Sequence, residues 1–490
     1  MTSGVVATFG DFTFDARRKR LVRGDQQVEL PEHQLDVLGH LVAHAGEIVS
    51  KDELIQAAWG GVAVTDNSLE QAISGLRRAL GDKSRAPQMI QTVARRGYRF
   101  AAEVTRAEAR TSDAELDALM EPYRALVEGR AALETLERDA VLHAQQALRH
   151  VVERAPDYAP AHRALANACI MHFEATRVDE TSDHEALTRA GEHAREACRL
   201  DAQSGEAWAT LALVHYRSGS AVQAIAAARR AVMLESDNWR HHMRLAYVGW
   251  GEERLRAAQK ALALFPGFAL ARFLSGTVYV ARQAFDLAEQ ELRAGAAAQD
   301  AQQGSHVFSS VGSHWLLGLV RLARGDEQDA LAAFRRELAF EACGQLYGRE
   351  CAANTWYAIG VVHLRQGRPH EATDAFEQAL RRVPGHVLAM IGLLAAHDAP
   401  PHAASLQENV TRRISQLAHA GLNVDAAVAR AALLAISGAA EDGAPLLDEA
   451  LSHASPGSAG WTIPVDPLLN VTTREQAFAL VLARLRTRAA

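Results

Sequence analysis

The chain has 490 residues, of which 48% are hydrophobic and 23% charged, and carries a net charge of -7. That length exceeds what one core organises, so two or more domains are expected, the charge excludes a uniformly basic nucleic-acid coat, and an aromatic content of 6% favours helix over sheet. Four scattered cysteines (Cys169, Cys198, Cys343, Cys351), none in a CxxC pair, exclude a disulfide framework or common zinc spacing; with neither a secretory leader nor a charge-free membrane-length apolar run, a cytoplasmic protein without metal, cofactor or membrane partner is expected.

Residues 1–104 read as a small α+β domain. Val5–Phe14 alternates around Gly10, and Arg20–Arg23 and Gln27–Leu30 are short β-like runs flanking a Gly24-Asp25 turn. Pro31 opens a first helix with Leu35, Leu38, Leu41 and Val42 on one face, and Gly46 closes it. Ser50 and Glu53 form a capping box for a second helix, from about Lys51 to Trp59. A third helix runs from about Asp66 to Leu80, and Met89–Phe100 reads as strand, turn at Arg96-Gly97, strand. The resulting order, β-β-β-α-α-α-β-β, is that of a winged helix-turn-helix.

Residues 105–112 read as a linker without an apolar face, and residues 113–455 as Ala-rich amphipathic helices. In 353–384, Trp356, Ile359, Gly360, His363, Ala372, Phe376, Ala379 and Pro384 follow the tetratricopeptide spacing. Gly360 and Ala372 would let two helices approach, with Trp356 and Phe376 filling the gaps. The spacing recurs at Trp208, Leu211, Ala212, His215, Ala224, Ala228 and Ala231, at Gly276, Tyr279, Ala288 and Leu292, and at Gly318, Ala330 and Phe334. Residues 161–202 fit with an insertion and 239–266 with a deletion, giving about seven units in an α-solenoid. Residues 456–490 break the pattern and are expected to be an extended GWTIPVDPLL run and a closing helix over Arg474–Arg488, capping the array.

On the third helix, Leu69, Ile73, Leu76 and Leu80 form a buried stripe, and the opposite face carries Asn67, Gln71, Ser74, Gly75 and Arg78, flanked by Ser68 and Arg77. Amides such as Asn67 and Gln71 can pair two-pronged with adenine, and Arg77 and Arg78 suit phosphate or guanine. From Leu76 to Phe100 seven basic residues, among them Arg95, Arg96 and Arg99, stand against Asp82 alone, whereas residues 1–104 balance at 13 basic and 13 acidic. A neutral but polarised domain of this kind has the footprint of a groove-binding helix with a wing.

The run from Val49 to Phe100 resembles the OmpR/PhoB-type winged-helix domain in its Trp59-Gly60 pair, Asp66-Asn67-Ser68, Leu76-Arg77, Leu80-Gly81-Asp82, Thr92-Val93 and Arg96-Gly97-Tyr98-Arg99-Phe100. The resemblance implies double-stranded DNA as partner, helix three in the major groove, Arg95 and Arg96 in a minor-groove wing, and Gly60–Thr65 as a loop that can meet RNA polymerase. Gly75 stands where the family often has a basic residue. Too little chain precedes the sheet for a phosphoacceptor receiver, so none is expected, and the signal is expected to enter through the repeats.

On the concave face of such an array, lined by the first helix of each repeat, Asn354, Tyr357 and Arg365 in one repeat and Tyr216 and Arg217 in another are expected to meet a protein or peptide partner, the two arginines holding a carboxylate. A small-molecule ligand is the second expectation, because it needs an enclosed pocket that open solenoids form less readily. No phosphate loop, HExxH or GxSxG motif is present, and His184-Glu185 and His370-Glu371 lack a second histidine, so no enzyme is expected. The rival to a DNA-binding regulator is a repeat scaffold whose winged helix contacts proteins.

Overall fold

The computed structural model describes residues 5–16, 19–24, 26–59, 66–83, 87–94, 96–108, 113–135, 137–179, 182–302, 310–343, 345–396 and 403–490. The chain divides into two compact units, residues 1–120 and 121–490.

In the first unit, β1 (Val5–Phe9), β2 (Phe12–Asp15), β3 (Arg20–Arg23) and β4 (Gln26–Val28) precede α1 (Glu32–Ala43). The run expected as one strand over Val5–Phe14 is thus a hairpin, turned at Gly10 with φ +52°. Then come β5 (Ile48–Val49), α2 (Lys51–Trp59), α3 (Asp66–Leu80), β6 (Ile90–Val93), β7 (Gly97–Phe100) and β8 (Thr105–Glu108). One sheet has the order β4-β3-β2-β1-β8 and a second β5-β7-β6. Two strands were not expected from sequence. β5 is two residues long, too short for a periodic signal, and pairs Ile48 with Arg99 and Val49 with Tyr98. β8 falls inside the segment read as a linker over 105–112. It pairs antiparallel with β1 from Val5↔Glu108 to Thr8↔Thr105, and backbone pairing of this kind needs no apolar alternation.

The expected capping box forms: the Ser50 amide donates to Glu53 Oε2 at 2.8 Å and the Glu53 amide to Ser50 Oγ at 3.2 Å. That backbone bond holds the Glu53 carboxyl below its usual range. Phe9, Phe14, Leu21, Leu38, Leu54, Leu69, Ile73 and Phe100 are fully buried between sheet and helices.

In the second unit, first and second helices alternate. The pairs are α4 (Asp113–Thr135), which enters this unit at residue 121, with α5 (Arg138–Arg154), α6 (Ala159–Thr176) with α7 (His184–Leu200), and α8 (Gly205–Arg217) with α9 (Ala221–Leu234). They continue with α10 (Trp239–Val248) and α11 (Gly251–Leu264), α12 (Ala269–Ala281) and α13 (Phe285–Ala301), α14 (Ser313–Ala323) and α15 (Glu327–Leu338), and α16 (Gly348–Arg365) and α17 (Pro369–Arg382). The expected insertion is the long α6 and the expected deletion the short α10. Then follow α18 (Val387–Ala396), α19 (Ala403–His419), α20 (Asn423–Ile436), α21 (Gly443–His453) and α22 (Ala479–Arg488).

Small residues set the spacing between paired helices. A Cβ on Gly360 would lie 2.5 Å from the Phe376 ring, one on Gly318 2.4 Å from Phe334, and one on Gly276 2.8 Å from Leu292. In α8 and α9 alanine does the same work: Ala212, Ala224, Ala228 and Ala231 are fully buried. First helices of successive repeats also touch, α6 on α8, α8 on α10, α10 on α12, α12 on α14 and α14 on α16, so they form the inner layer.

Residues 457–490 depart from expectation in conformation and in place. Instead of an extended run they make turns and short 3-10 helices at Ile463–Val465 and Val471–Thr473, and the closing helix α22 starts at Ala479 rather than Arg474. They also lie on the inner layer itself. Trp461 meets the Trp315 ring edge-on at 6.3 Å and Phe273 at 6.4 Å. The Arg282 guanidinium donates to the Ala489 carbonyl at 2.8 Å. Val465 is buried in the core of α12–α17, and Ile463, Leu469 and Phe478 in that of α18–α22, at roughly 1.5–3 kcal/mol each.

Candidate DNA interface

On α3, the stripe of Leu69, Ile73, Leu76 and Leu80 is buried, and Gln71, Ser74 and Arg78 are exposed. Ser68 is half-buried at the start of the helix. Asn67 lies in α3, with its side chain outside the described residues, as are Arg95 and the Gly60–Thr65 loop. Gly75 does not join the exposed face: a Cβ there would lie 2.7 Å from the Gln34 side chain of α1. A larger residue at that position would meet the end of the Gln34 side chain, not the backbone of α1.

Arg77 and Arg99 were expected on the DNA face, and the structure gives both other partners. The Arg77 guanidinium, half-buried, donates to the Ile90 carbonyl at 2.8 and 3.2 Å and to Thr92 Oγ1 at 2.9 Å. It braces β6 against α3. A helix turns about 100° per residue, so Arg77 points to the sheet and Arg78 away from it. Arg99, on β7, donates to Gln91 Oε1 across the β6–β7 ladder at 2.6 Å. Asp82, the one acid in this basic stretch, accepts from the Gln88 amide at 2.7 Å and the Ile90 amide at 2.8 Å, so it fixes the base of the wing. At the wing tip Arg96 is exposed, followed by Gly97 at φ +131°, where a Cβ would stand 2.0 Å from the Val49 carbonyl. Only glycine lets β7 leave the turn and pair with β5 there. The exposed polar surface thus comprises Gln71, Ser74 and Arg78 on the helix, with Arg96 on the wing.

In the array, the residues expected to meet a partner are engaged within the chain. Arg217 does hold a carboxylate, but it is that of buried Glu174, and it also donates to the Tyr247 hydroxyl at 2.5 Å. Its guanidinium lies 5.4 Å from the Tyr216 ring centre, and Tyr216 meets Tyr247 edge-on. Tyr357 is buried and donates to Asp466 at 3.3 Å, and Arg365 donates to the Pro467 carbonyl at 2.5 Å. Asn354 accepts from His386 Nε2 at 3.0 Å. Residues 457–490 were absent from the sequence argument for this face because their contacts are about a hundred residues or more away along the chain. No helix among the described residues is long and apolar enough to cross a membrane.

Comparison with known proteins agrees with the two parts of the chain. Residues 25–100 match the family of transcriptional regulatory proteins, C terminal, and residues 310–384 match the tetratricopeptide repeat. The cholera toxin homolog transcriptional activator of Vibrio parahaemolyticus is 34% identical over 116 residues, 23% of this chain and 40% of that protein. The transcriptional activator CadC of Escherichia coli is 33% identical over 96 residues, 19% of each. The Klebsiella pneumoniae RstA DNA-binding domain, solved in complex with the RstA box, is 35% identical across 20% of this chain and 96% of that one, with a TM-score of 0.18. The chain thus spans less than half the length of these two curated relatives. Residues 25–100 are an OmpR/PhoB-type transcriptional regulatory domain, and this chain is one in which that domain is followed by tetratricopeptide repeats.

Proposed function

We propose that the chain is a sequence-specific DNA-binding transcription regulator, not an enzyme, in which α3 enters the major groove, the β6–β7 wing follows the adjoining minor groove, and the repeat array receives the signal. The observation that carries this reading is the division of labour on α3. Its apolar stripe and Arg77 are used inside the domain, while Gln71, Ser74 and Arg78 are left exposed together. Those are groups that read base edges and phosphates. Asn67 and Ser68 would contact DNA from the start of the helix, and Arg95 and Arg96 from the wing. Arg99 and Arg77 would act by shaping the wing. The relatives named as transcriptional activators support the same reading. Gly60–Thr65 would be the surface offered to RNA polymerase, and a protein acting on chromosomal DNA works in the cytoplasm. A peptide partner on the inner face near α16 would have to displace residues 457–490.

Selection of bound duplexes from a random pool tests this. The full chain should enrich one short motif, with an affinity that falls steeply with salt. Enrichment of no motif, or affinity indifferent to salt, would favour a winged helix that contacts protein.

A further inference from the structure

The inner face of the array is bridged by a crossing segment where the sequence suggests an open groove. Residues 345–350, leading into α16, reach across to the first two repeats. Gln345 forms an antiparallel bridge with Glu137, Arg349 pairs with Asp179 at 2.5 Å, and Glu350 pairs with Arg177. Tyr347, carried by that crossing segment, lines a cavity of about 340 Å³ with side chains from α4, α6, α8, α10 and the start of α12. Small-molecule sites range over roughly 300–1,000 Å³.

The walls are of two kinds. Trp239, Tyr247, Phe268 and Tyr347 give aromatic surface. Arg130, Arg163, Arg240 and Arg244 stand against two carboxylates, Glu134 and Glu206. Glu206 is taken by Arg130 and Arg163, and Glu134 by Arg240. Nearby, Glu174 is taken by Arg177 and Arg217. Arg244 makes no hydrogen bond or ion pair among the described residues. Burial holds its guanidinium below the ordinary range, yet a guanidinium stays charged at neutral pH. The acid that acts on it, Glu174, is in direct contact with Arg177 and Arg217 instead, and a cation without an acid in direct contact, set in a partly buried recess, attracts anions.

We propose that this cavity binds a small organic anion, with its carboxylate or phosphate on Arg244 and its flat or apolar body against the aromatic wall. This deepens the sensing role proposed above, and binding itself can be measured without DNA. The test uses the full chain, with benzoate, AMP and inorganic phosphate as probes and benzamide and adenosine as neutral counterparts. Calorimetry and thermal melting should show saturable binding of benzoate or AMP at least about tenfold tighter than of its neutral counterpart. Which of the two binds separates a carboxylate from a phosphate source. Arg244→Met should abolish that binding while melting no lower than wild type, because it removes a charge with no acid in direct contact; a merely structural arginine would lower the melting temperature. No anion binding up to about 10 mM, neutral probes binding equally well, inorganic phosphate binding as tightly as AMP, or Arg244→Met binding like wild type would each overturn the proposal. The neutral-probe comparison holds even if that variant fails to fold. Anion binding that leaves DNA affinity and regulation unchanged would uphold the site and overturn the sensing role alone.

Discussion

Replacing Arg77 by alanine should cost stability, and replacing its neighbour Arg78 should cost affinity for DNA. Arg77 makes hydrogen bonds to the Ile90 carbonyl and the Thr92 hydroxyl from a half-buried position. Charge-assisted bonds of this kind are worth about 1.5–3 kcal/mol each and do not add fully, so the loss should be about 2–3 kcal/mol. For a domain of about 100 residues that lowers the melting temperature by roughly 10–20 °C. Arg78 is exposed, so Arg78→Ala should change stability by no more than about 0.5 kcal/mol. It should weaken DNA binding by about 1–3 kcal/mol if it reads a base. If it meets only a phosphate, the salt slope should instead fall by about 0.9. Circular-dichroism melts and fluorescence anisotropy at two salt concentrations, on residues 1–120, separate the two effects. Equal losses of stability in both variants, or Arg77→Ala melting like wild type, would refute the assignment of Arg77 as a brace.

A fragment ending at residue 104 should melt below one ending at 108, by about 1–3 kcal/mol of stability, because it loses β8 and leaves β1 as a bare edge; equal melting would mean that β8 adds nothing. Gly360→Leu should lower the melting temperature of the array by an amount corresponding to about 1–3 kcal/mol, since the Phe376 ring is hemmed in by Gly360 on one side and Gly392 on the other; unchanged melting would refute the repeat register. His386 accepts from the Ala389 amide at 3.1 Å, which caps α18, and donates to Asn354, so it is needed neutral, and burial pushes it down to about 4. Its folded value lies below an unfolded value near 6.5, so protons favour the unfolded chain. Its contribution should be full above about pH 6.5 and lost as pH falls toward 4, at about 1–3 kcal/mol. Urea midpoints across that window should decline less in His386→Gln than in wild type, and parallel declines would refute the assignment.

What the sequence made legible were features whose causes are local. The α3 stripe, the Ser50–Glu53 box and the Gly360–Phe376 contact each lie within one helix or one helix pair, where periodicity and spacing determine what meets what. The role of Arg77 was harder, because one step around the helix separates a brace from a contact and both residues are arginine. β8 was invisible because its pairing is made by backbone groups. The occupied inner face was invisible for a different reason: Tyr357 meets Asp466 and Arg282 meets Ala489, contacts between segments whose sequences carry no mark of each other. The crossing by residues 345–350 is of the same kind, and with it the cavity beside Arg244. No spacing rule singles out Arg244, whose guanidinium, unlike those of Arg130, Arg163 and Arg240 in the same cavity, makes no ion pair among the described residues.

The central claim, that the exposed edge of α3 reads DNA sequence, is tested most directly by mapping bound DNA across the chromosome for the wild-type chain and Arg78→Ala at equal protein levels. The wild type should occupy discrete sites that share one short motif, and Arg78→Ala should lose those sites while the protein remains folded. Occupancy of the same sites by both proteins, or no discrete sites for the wild type, would contradict the account.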